Sequence, residues 1–194
     1  MGEEIEVVDP SGLMLTVRLD HVSVDRVEGV IVAEREHRPE PQARITVAIA
    51  QLPAPALELV LSRCTEIGAF AFRVFSADRS VARGARLERW NTICRQAAML
   101  AGRTRVPPVE GPLTFEALMA AAENPVMLVR GAPTALAEVI EPRDVTLLVG
   151  PEGGWSEREL AAAALKAGLG PRNLRADTAA LVGLAVALAA RHQI

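Results

Sequence analysis

The chain has no tyrosine, and aromatics make up only 3% of its 194 residues. A module that reads bases by stacking them on several aromatic rings is therefore poorly provided for. Lysine is nearly absent as well. Lys166 is the sole lysine among 21 basic residues, and the arginines that make up the rest suit bidentate phosphate contacts. Only two cysteines occur, Cys64 and Cys94, each inside an apolar stretch with no cysteine or histidine at metal-ligand spacing. They read as small core residues of a protein kept in a reducing compartment, and no metal is expected. No basic start followed by an apolar run marks a secretory signal. The longest apolar stretch, Ala179 to Ala190, falls short of the roughly 20 residues a bilayer-spanning helix needs. These absences predict a soluble, cytoplasmic protein without a membrane segment. Neither Gly-x-x-x-x-Gly-Lys-Ser/Thr nor Gly-x-Gly-x-x-Gly occurs, so phosphate-loop and dinucleotide sites lack their mechanism.

Half the residues, 50%, are apolar, enough to fill the core of one substantial domain with a small one beside it. The net charge of -3 does not announce a nucleic-acid binder, but its distribution is uneven. Residues 1–40 hold ten acids against four arginines, whereas residues 73–105 hold eight arginines against Asp78 and Glu88. That local excess fits either an RNA-backbone footprint or a solvated, salt-bridged helix face.

Short alternating runs at Ile5–Val7, Leu13–Leu19 and Val27–Val32, with a turn at Asp9-Pro10-Ser11-Gly12, predict strands of a small antiparallel sheet or barrel over residues 1–40. The proline-punctuated segment 36–41 then reads as a linker. From residue 41 to 194 strands alternate with helices, which predicts a mostly parallel sheet covered on both faces. Strands are expected at 44–50, 70–75, 126–130 and 145–149, with a short one near Asn173-Leu174. Helices are expected at 55–68, 87–101, near 113–122, near 133–140, at 156–167 and from Thr178 onward.

The strongest local feature is Leu147-Leu148-Val149-Gly150-Pro151-Glu152-Gly153-Gly154-Trp155-Ser156-Glu157-Arg158-Glu159-Leu160, followed by Leu174-Arg175-Ala176-Asp177-Thr178-Ala179-Ala180. A buried strand runs into a glycine turn and then a helix start, and a second strand-to-helix junction follows. Glycine lets backbone approach a ligand, and Pro151 stiffens the turn. Ser156 with Glu159 spells a capping box, and Asp177 is expected to cap the last helix.

The two blocks together resemble the C-terminal signature of the bacterial 16S ribosomal RNA uridine-N3 methyltransferases, a family of the SPOUT superfamily. Asp177 stands where that family has glutamate, and the rest of both blocks agrees. Weaker similarity runs along nearly the whole chain, including Arg63-Cys64-Thr65-Glu66-Ile67-Gly68, Arg79-Ser80 and Ala101-Gly102-Arg103-Thr104-Arg105-Val106-Pro107. The resemblance implies an α/β SPOUT domain at 41–194 with a deep trefoil knot. It implies a partial PUA-like β-barrel at 1–40 that binds RNA, and a homodimer. S-adenosylmethionine is the implied cofactor and small-subunit ribosomal RNA the implied partner. Leu148, Val149, Gly150, Gly153, Leu174, Arg175 and Thr178 would form the cofactor site, with Leu148 just beneath it. Arg79 and Arg103 would contact RNA, while Arg86 and Arg89 would face solvent and matter less. No catalytic base is assigned.

The chain also departs from the pattern. A His-x-x-x-Val-Leu-Arg segment that belongs ahead of Met1 in the family is missing from the sequence. Met99-Leu100 replaces a polar pair, Pro53 a basic residue, and Arg130 an acidic one. These departures leave open a catalytically weak or inactive SPOUT-fold dimer that binds RNA or cofactor, or methylation at another RNA position.

Overall fold

The computed structural model describes residues 2–9, 11–140 and 144–193. Strands β1 (Glu4–Asp9), β2 (Leu13–Val22) and β3 (Val27–Glu36) form an antiparallel three-stranded sheet in the order β1-β2-β3. Pro10, part of the expected turn, lies outside the described residues, but Gly12 adopts the positive φ of 93° that a tight connection requires. Every residue of β3 is exposed. These three strands do not by themselves show the barrel expected over residues 1–40.

The larger unit runs β4 (Ile45–Ala50), α1 (Ala54–Ile67), β5 (Ala71–Ser76), α2 (Leu87–Leu100), β6 (Val109–Thr114), α3 (Phe115–Ala121), β7 (Pro125–Leu128), α4 (Leu136–Val139), β8 (Val145–Val149), α5 (Glu157–Ala162), β9 (Leu165–Ala167) and α6 (Ala176–Ala189). Its six strands are ordered β6-β5-β4-β8-β7-β9, and every pairing is parallel. All five residues of β8 are buried. A strand buried along its whole length, apolar but for Thr146, is a central strand with both faces covered. On one face Ile45, Val47, Leu147 and Val149 pack with Leu61 and Cys64 of α1, Trp90 and Cys94 of α2, and Leu184 and Leu188 of α6. On the other, Ala48, Phe75, Met127 and Leu148 pack with Phe115, Leu118 and Trp155.

Local sequence explains most helix limits. α1 starts after Pro53 and stops at Gly68, whose φ of 117° lets its N–H reach the carbonyls of Cys64 and Thr65. α2 buries Trp90, Ile93, Cys94, Ala97 and Ala98, the stripe its spacing predicts. In α6, Gly183 lets the helix lie close on the sheet, because a Cβ there would come within 2.8 Å of Leu128 Cδ1. Both cysteines are buried, and burial pushes the Cys64 thiol pKa well above its ordinary value.

Three expectations need correction. The helix predicted over 156–167 ends at Ala162, and Leu165–Ala167 instead pairs with β7 as the edge strand β9. Alanine-rich sequence favours helix, but pairing to an open sheet edge overrides that propensity. Asn173-Leu174 is not a strand, and runs as loop into α6. The strand β6 was not expected at all, since Gly111 and Pro112 interrupt it. A proline is tolerated there because β6 is an edge strand.

Candidate functional site

The carboxyl ends of β7 and β8 open into a cleft of about 570 Å³. Loops 150–156 and 169–175 wall it, Leu128, Val149, Trp155 and Leu174 give it an apolar lining, and Arg79, Arg130, Arg172 and Arg175 border it. Ligand sites of open parallel sheets fall at this carboxyl edge, in the crevice outside the strand ends.

The cleft wall is rigid for identifiable reasons. Trp155 stacks on Phe75 with ring centroids 6.0 Å apart, and its indole N–H donates to the Leu128 carbonyl at 2.9 Å. Gly150 must lack a side chain, since a Cβ would lie 2.9 Å from the Trp155 ring. A Cβ on Gly153 would meet Arg79 at 3.0 Å from its Cβ and 3.1 Å from its carbonyl oxygen. Gly153 thus serves the close approach of the Arg79 loop. Gly153 also lines the cleft, where the resemblance placed the cofactor. Gly154 takes φ 72° to complete the turn.

The predicted capping box is present. The Glu159 N–H donates to Ser156 Oγ at 3.2 Å and the Ser156 N–H to Glu159 Oε2 at 2.9 Å. Glu159 is fully buried, and its other oxygen accepts the Asp78 N–H at 2.9 Å. Asp78 in turn accepts from Arg158 and from the Ser156 hydroxyl, and those bonds hold its carboxyl below the ordinary carboxylate range. Arg158 also bonds Glu116. This network fastens the loop carrying Arg79 to the glycine turn, so Arg79 reaches across to the Gly153 carbonyl at 3.3 Å.

Of the residues expected to hold cofactor, Val149, Gly150, Gly153, Leu174 and Arg175 line the cleft. Leu148 is fully buried in the layer beneath, as expected. Thr178 is exposed in the first turn of α6 and does not line the cleft; its hydroxyl donates to Asp177 Oδ1 at 3.2 Å. Asp177 is not the cap. Arg175 occupies that position, and Asp177 sits inside the first turn, accepting the Thr178 N–H at 2.7 Å and Arg175 at 2.8 Å.

The two expected RNA contacts separate. Arg79 is exposed at the cleft. Arg103 lies at the opposite edge with its side chain 4% exposed, paired to Glu40 and donating to the carbonyls of Thr65 and Ala69 at 2.9 and 3.0 Å. Its donors are spent inside the protein, so its surroundings are those of a structural arginine and the expected RNA contact has no open donor here. Leu128, Val129, Arg130 and the 169–173 segment line the cleft and were missed. Only the strand order, with β7 beside β8, makes them neighbours of the glycine turn.

The chain belongs to the family described as the RNA methyltransferase domain, whose model matches residues 38–188. It is 32% identical over 202 residues to the ribosomal RNA small subunit methyltransferase E of Synechocystis, an alignment covering 95% of this chain and 65% of that protein. The enzyme of the same name from Mycobacterium bovis is 36% identical, with 79% of this chain and 66% of the relative covered. The chain thus spans about two thirds of the length of these relatives. The crystal structure of ribosomal RNA small subunit methyltransferase E from Neisseria gonorrhoeae bound to S-adenosyl methionine superimposes with a TM-score of 0.89 at 27% identity, covering 97% of this chain and 83% of that one.

Proposed function

We propose that this chain transfers a methyl group from S-adenosylmethionine to small-subunit ribosomal RNA, with the N3 of a uridine as acceptor. The observation that carries this reading is the cleft formed where β7 and β8 end, walled by the main chain of the 150–154 turn and the 172–175 segment. Its volume, about 570 Å³, suits a nucleoside-sized ligand. Its chemistry fits as well. Leu128, Val149, Trp155 and Leu174 supply apolar cover for an adenine ring, and the surrounding main chain supplies polar groups for base and ribose edges. The relatives' names and the Neisseria complex support the cofactor and the substrate class.

When bound, the cofactor supplies a sulfonium methyl open to in-line attack. The protein's part is positioning and charge management. A neutral imide nitrogen has no available lone pair, so uridine N3 must lose its proton as it attacks. Arg79, Arg130 and Arg172 at the cleft stabilise negative charge developing on the base oxygens. Glu152, the one carboxylate lining the cleft among the described residues, or a water accepts the proton.

The same reading includes a trefoil knot formed where the chain passes through the cleft loops into α6, and a cytoplasmic homodimer joined through α6. That helix is apolar on nearly all sides, and Val182 remains 36% exposed on its outer face, which suits a second helix packing there. Residues 1–40 would be part of an RNA-binding barrel. One observation favours a second reading, a SPOUT-fold dimer that binds without turnover. Glu152, the carboxylate at the cleft among the described residues, is exposed. Mapping methylated nucleotides by mass spectrometry in small-subunit RNA, with and without the gene, separates the two. Loss of one N3-methyluridine is expected; an unchanged methylation map overturns the enzymatic reading.

A further inference from the structure

A second cleft adjoins the first along the same edge of the sheet. β4 and β8 are paired with Ile49 beside Val149, so they release their loops from adjacent positions, one strand spacing or about 4.8 Å apart. The loop after β4, the segment following Arg79 and the start of α2 enclose a space of about 430 Å³ lined by Gln51, Leu52, Leu57, Arg83, Arg86 and Trp90. This volume falls within the range of small-molecule sites, roughly 300 to 1,000 Å³.

The wall of this cleft is built, not incidental. Gln51 is 4% exposed, donates through Nε2 to the Gly84 carbonyl at 2.8 Å, and accepts the Ser76 hydroxyl on Oε1 at 2.6 Å. Both ends of the amide are committed, and they pin the 82–86 segment in place. Arg83 gives its hydrogen bonds to the carbonyls of Ser80 and Ala82. Glu58, the carboxylate within electrostatic reach of Arg86, is already bonded through both oxygens by Arg89. Among the described residues, neither Arg83 nor Arg86 forms a salt bridge. The cleft therefore combines apolar walls with two guanidinium groups whose charge is not neutralised by a contacting carboxylate. The loop that carries them begins with Arg79, at the edge of the first cleft.

Apolar walls beside uncompensated cations match one ligand chemistry, a planar ring joined to a phosphate. Sequence-selective RNA recognition works on unstacked bases that enter pockets of this kind. We infer that the second cleft receives the unstacked nucleotide adjacent to the acceptor, with its base against Leu52, Leu57 and Trp90 and its phosphate on Arg83 and Arg86. The inference rests on the reading of the first cleft as the methyl-donor site. It adds a subsite that selects which RNA strand segment is presented there.

Trp90 offers a direct readout. Each of the four ribonucleoside 5′-monophosphates is titrated into the full chain while intrinsic fluorescence is followed, with ribose 5-phosphate as a phosphate-only control. At least one nucleotide should quench saturably, and ribose 5-phosphate should bind at least about tenfold more weakly. Trp90→Phe should abolish the quench. Arg86→Ala, which removes no hydrogen bond of the fold, should raise the apparent Kd at least about fivefold, whereas Glu88→Ala on the exposed start of α2 should not. Absence of any quench overturns the inference, as does a quench that survives Trp90→Phe, since that signal arises at Trp155. Equal binding of ribose 5-phosphate also overturns it, leaving only an anion site. Calorimetry with S-adenosylmethionine on the same protein keeps the two readings apart: cofactor binding without nucleotide binding sinks the subsite alone, and nucleotide binding without cofactor binding sinks the methyltransferase reading and with it the acceptor-neighbour role, leaving a bare nucleotide site.

Discussion

At the carboxyl edge of the parallel sheet, Arg79, Arg130, Arg172 and Arg175 stand around an open cleft, and Arg175 keeps 76% of its side chain exposed. At the amino edge, Arg103 is 4% exposed and closed in by Glu40 and two carbonyls, while Arg105 lies 3.5 Å over the Phe70 ring centroid. Burial, with the charge of Arg103 beside it, lowers the Arg105 pKa from its ordinary value. Arg79, Arg103 and Arg105 come from the same arginine-rich stretch, yet one faces solvent and the other two hold a linker to the domain. The difference lies in what meets the guanidinium. At one edge a carboxylate and main-chain carbonyls enclose the guanidinium on all sides; at the other Arg79 gives one bond to the Gly153 carbonyl and Arg175 one to Asp177, and the rest of each side chain stays exposed to a ligand.

The largest effect expected from this contrast is on stability at the amino edge. Arg103→Ala removes the charge partner of Glu40 and one donor from each of the Thr65 and Ala69 carbonyls and should cost about 3 kcal/mol in denaturant unfolding, with cofactor affinity retained. A loss under about 1 kcal/mol, in the range of exposed pairs, would show that the amino edge is not the structural half. At the carboxyl edge, Gly153→Val forces a side chain into the Arg79 backbone and should weaken S-adenosylmethionine binding at least about tenfold, near 1.4 kcal/mol. Unchanged affinity by calorimetry, with the fold intact, would remove the glycine turn from the site.

A smaller, more selective effect concerns RNA. Arg79→Ala should lower the salt dependence of binding to a small-subunit RNA fragment by about one unit of log–log slope. Arg89→Ala, which breaks a pair with Glu58, should leave that slope alone. Equal slopes for both variants would dissolve the distinction between paired and open arginines. The smallest expected effect is in pH. Burial opposes ionisation of Glu40, but the hydrogen bond and charge of Arg103, with N–H donors from Arg105 and Thr104, outweigh it and hold the carboxyl below its ordinary value of 4.5. A depressed folded value means this stabilisation is complete above pH about 4.5 and disappears as pH falls through the folded value. Glu40→Gln should flatten that part of the acid-unfolding curve, and an unchanged curve would show that the pair adds no linkage.

The chemistry-bearing turns were legible because their signals are local. Glycine at 150, 153 and 154, the Ser156–Glu159 box and the apolar β8 run each act within one turn or strand, and five of the seven residues expected to hold cofactor line the cleft. Thr178 and Asp177 were misplaced by short-range ambiguity, since α6 begins at Ala176, two residues before the expected Thr178, and a two-residue shift turns a side chain to the other face of a helix. Leu128, Arg130 and the 169–173 wall were illegible because nothing in their own sequence marks them. They join the site through the placement of β7 beside β8 and of β9 beside β7.

By itself, the sequence determined the alternation of strands and helices, the glycine turn with its cap, and the split between an acidic start and an arginine-rich middle, since periodicity and turn chemistry act over a few residues. Only the tertiary structure decided that Leu165–Ala167 pairs as an edge strand and that two clefts share one edge of the sheet. It also decided that Arg79 stays open while Arg103 is consumed. Those outcomes depend on which strand lies next to which, and on whether a carboxylate 63 residues away in the chain, Glu40, is brought within reach of a guanidinium.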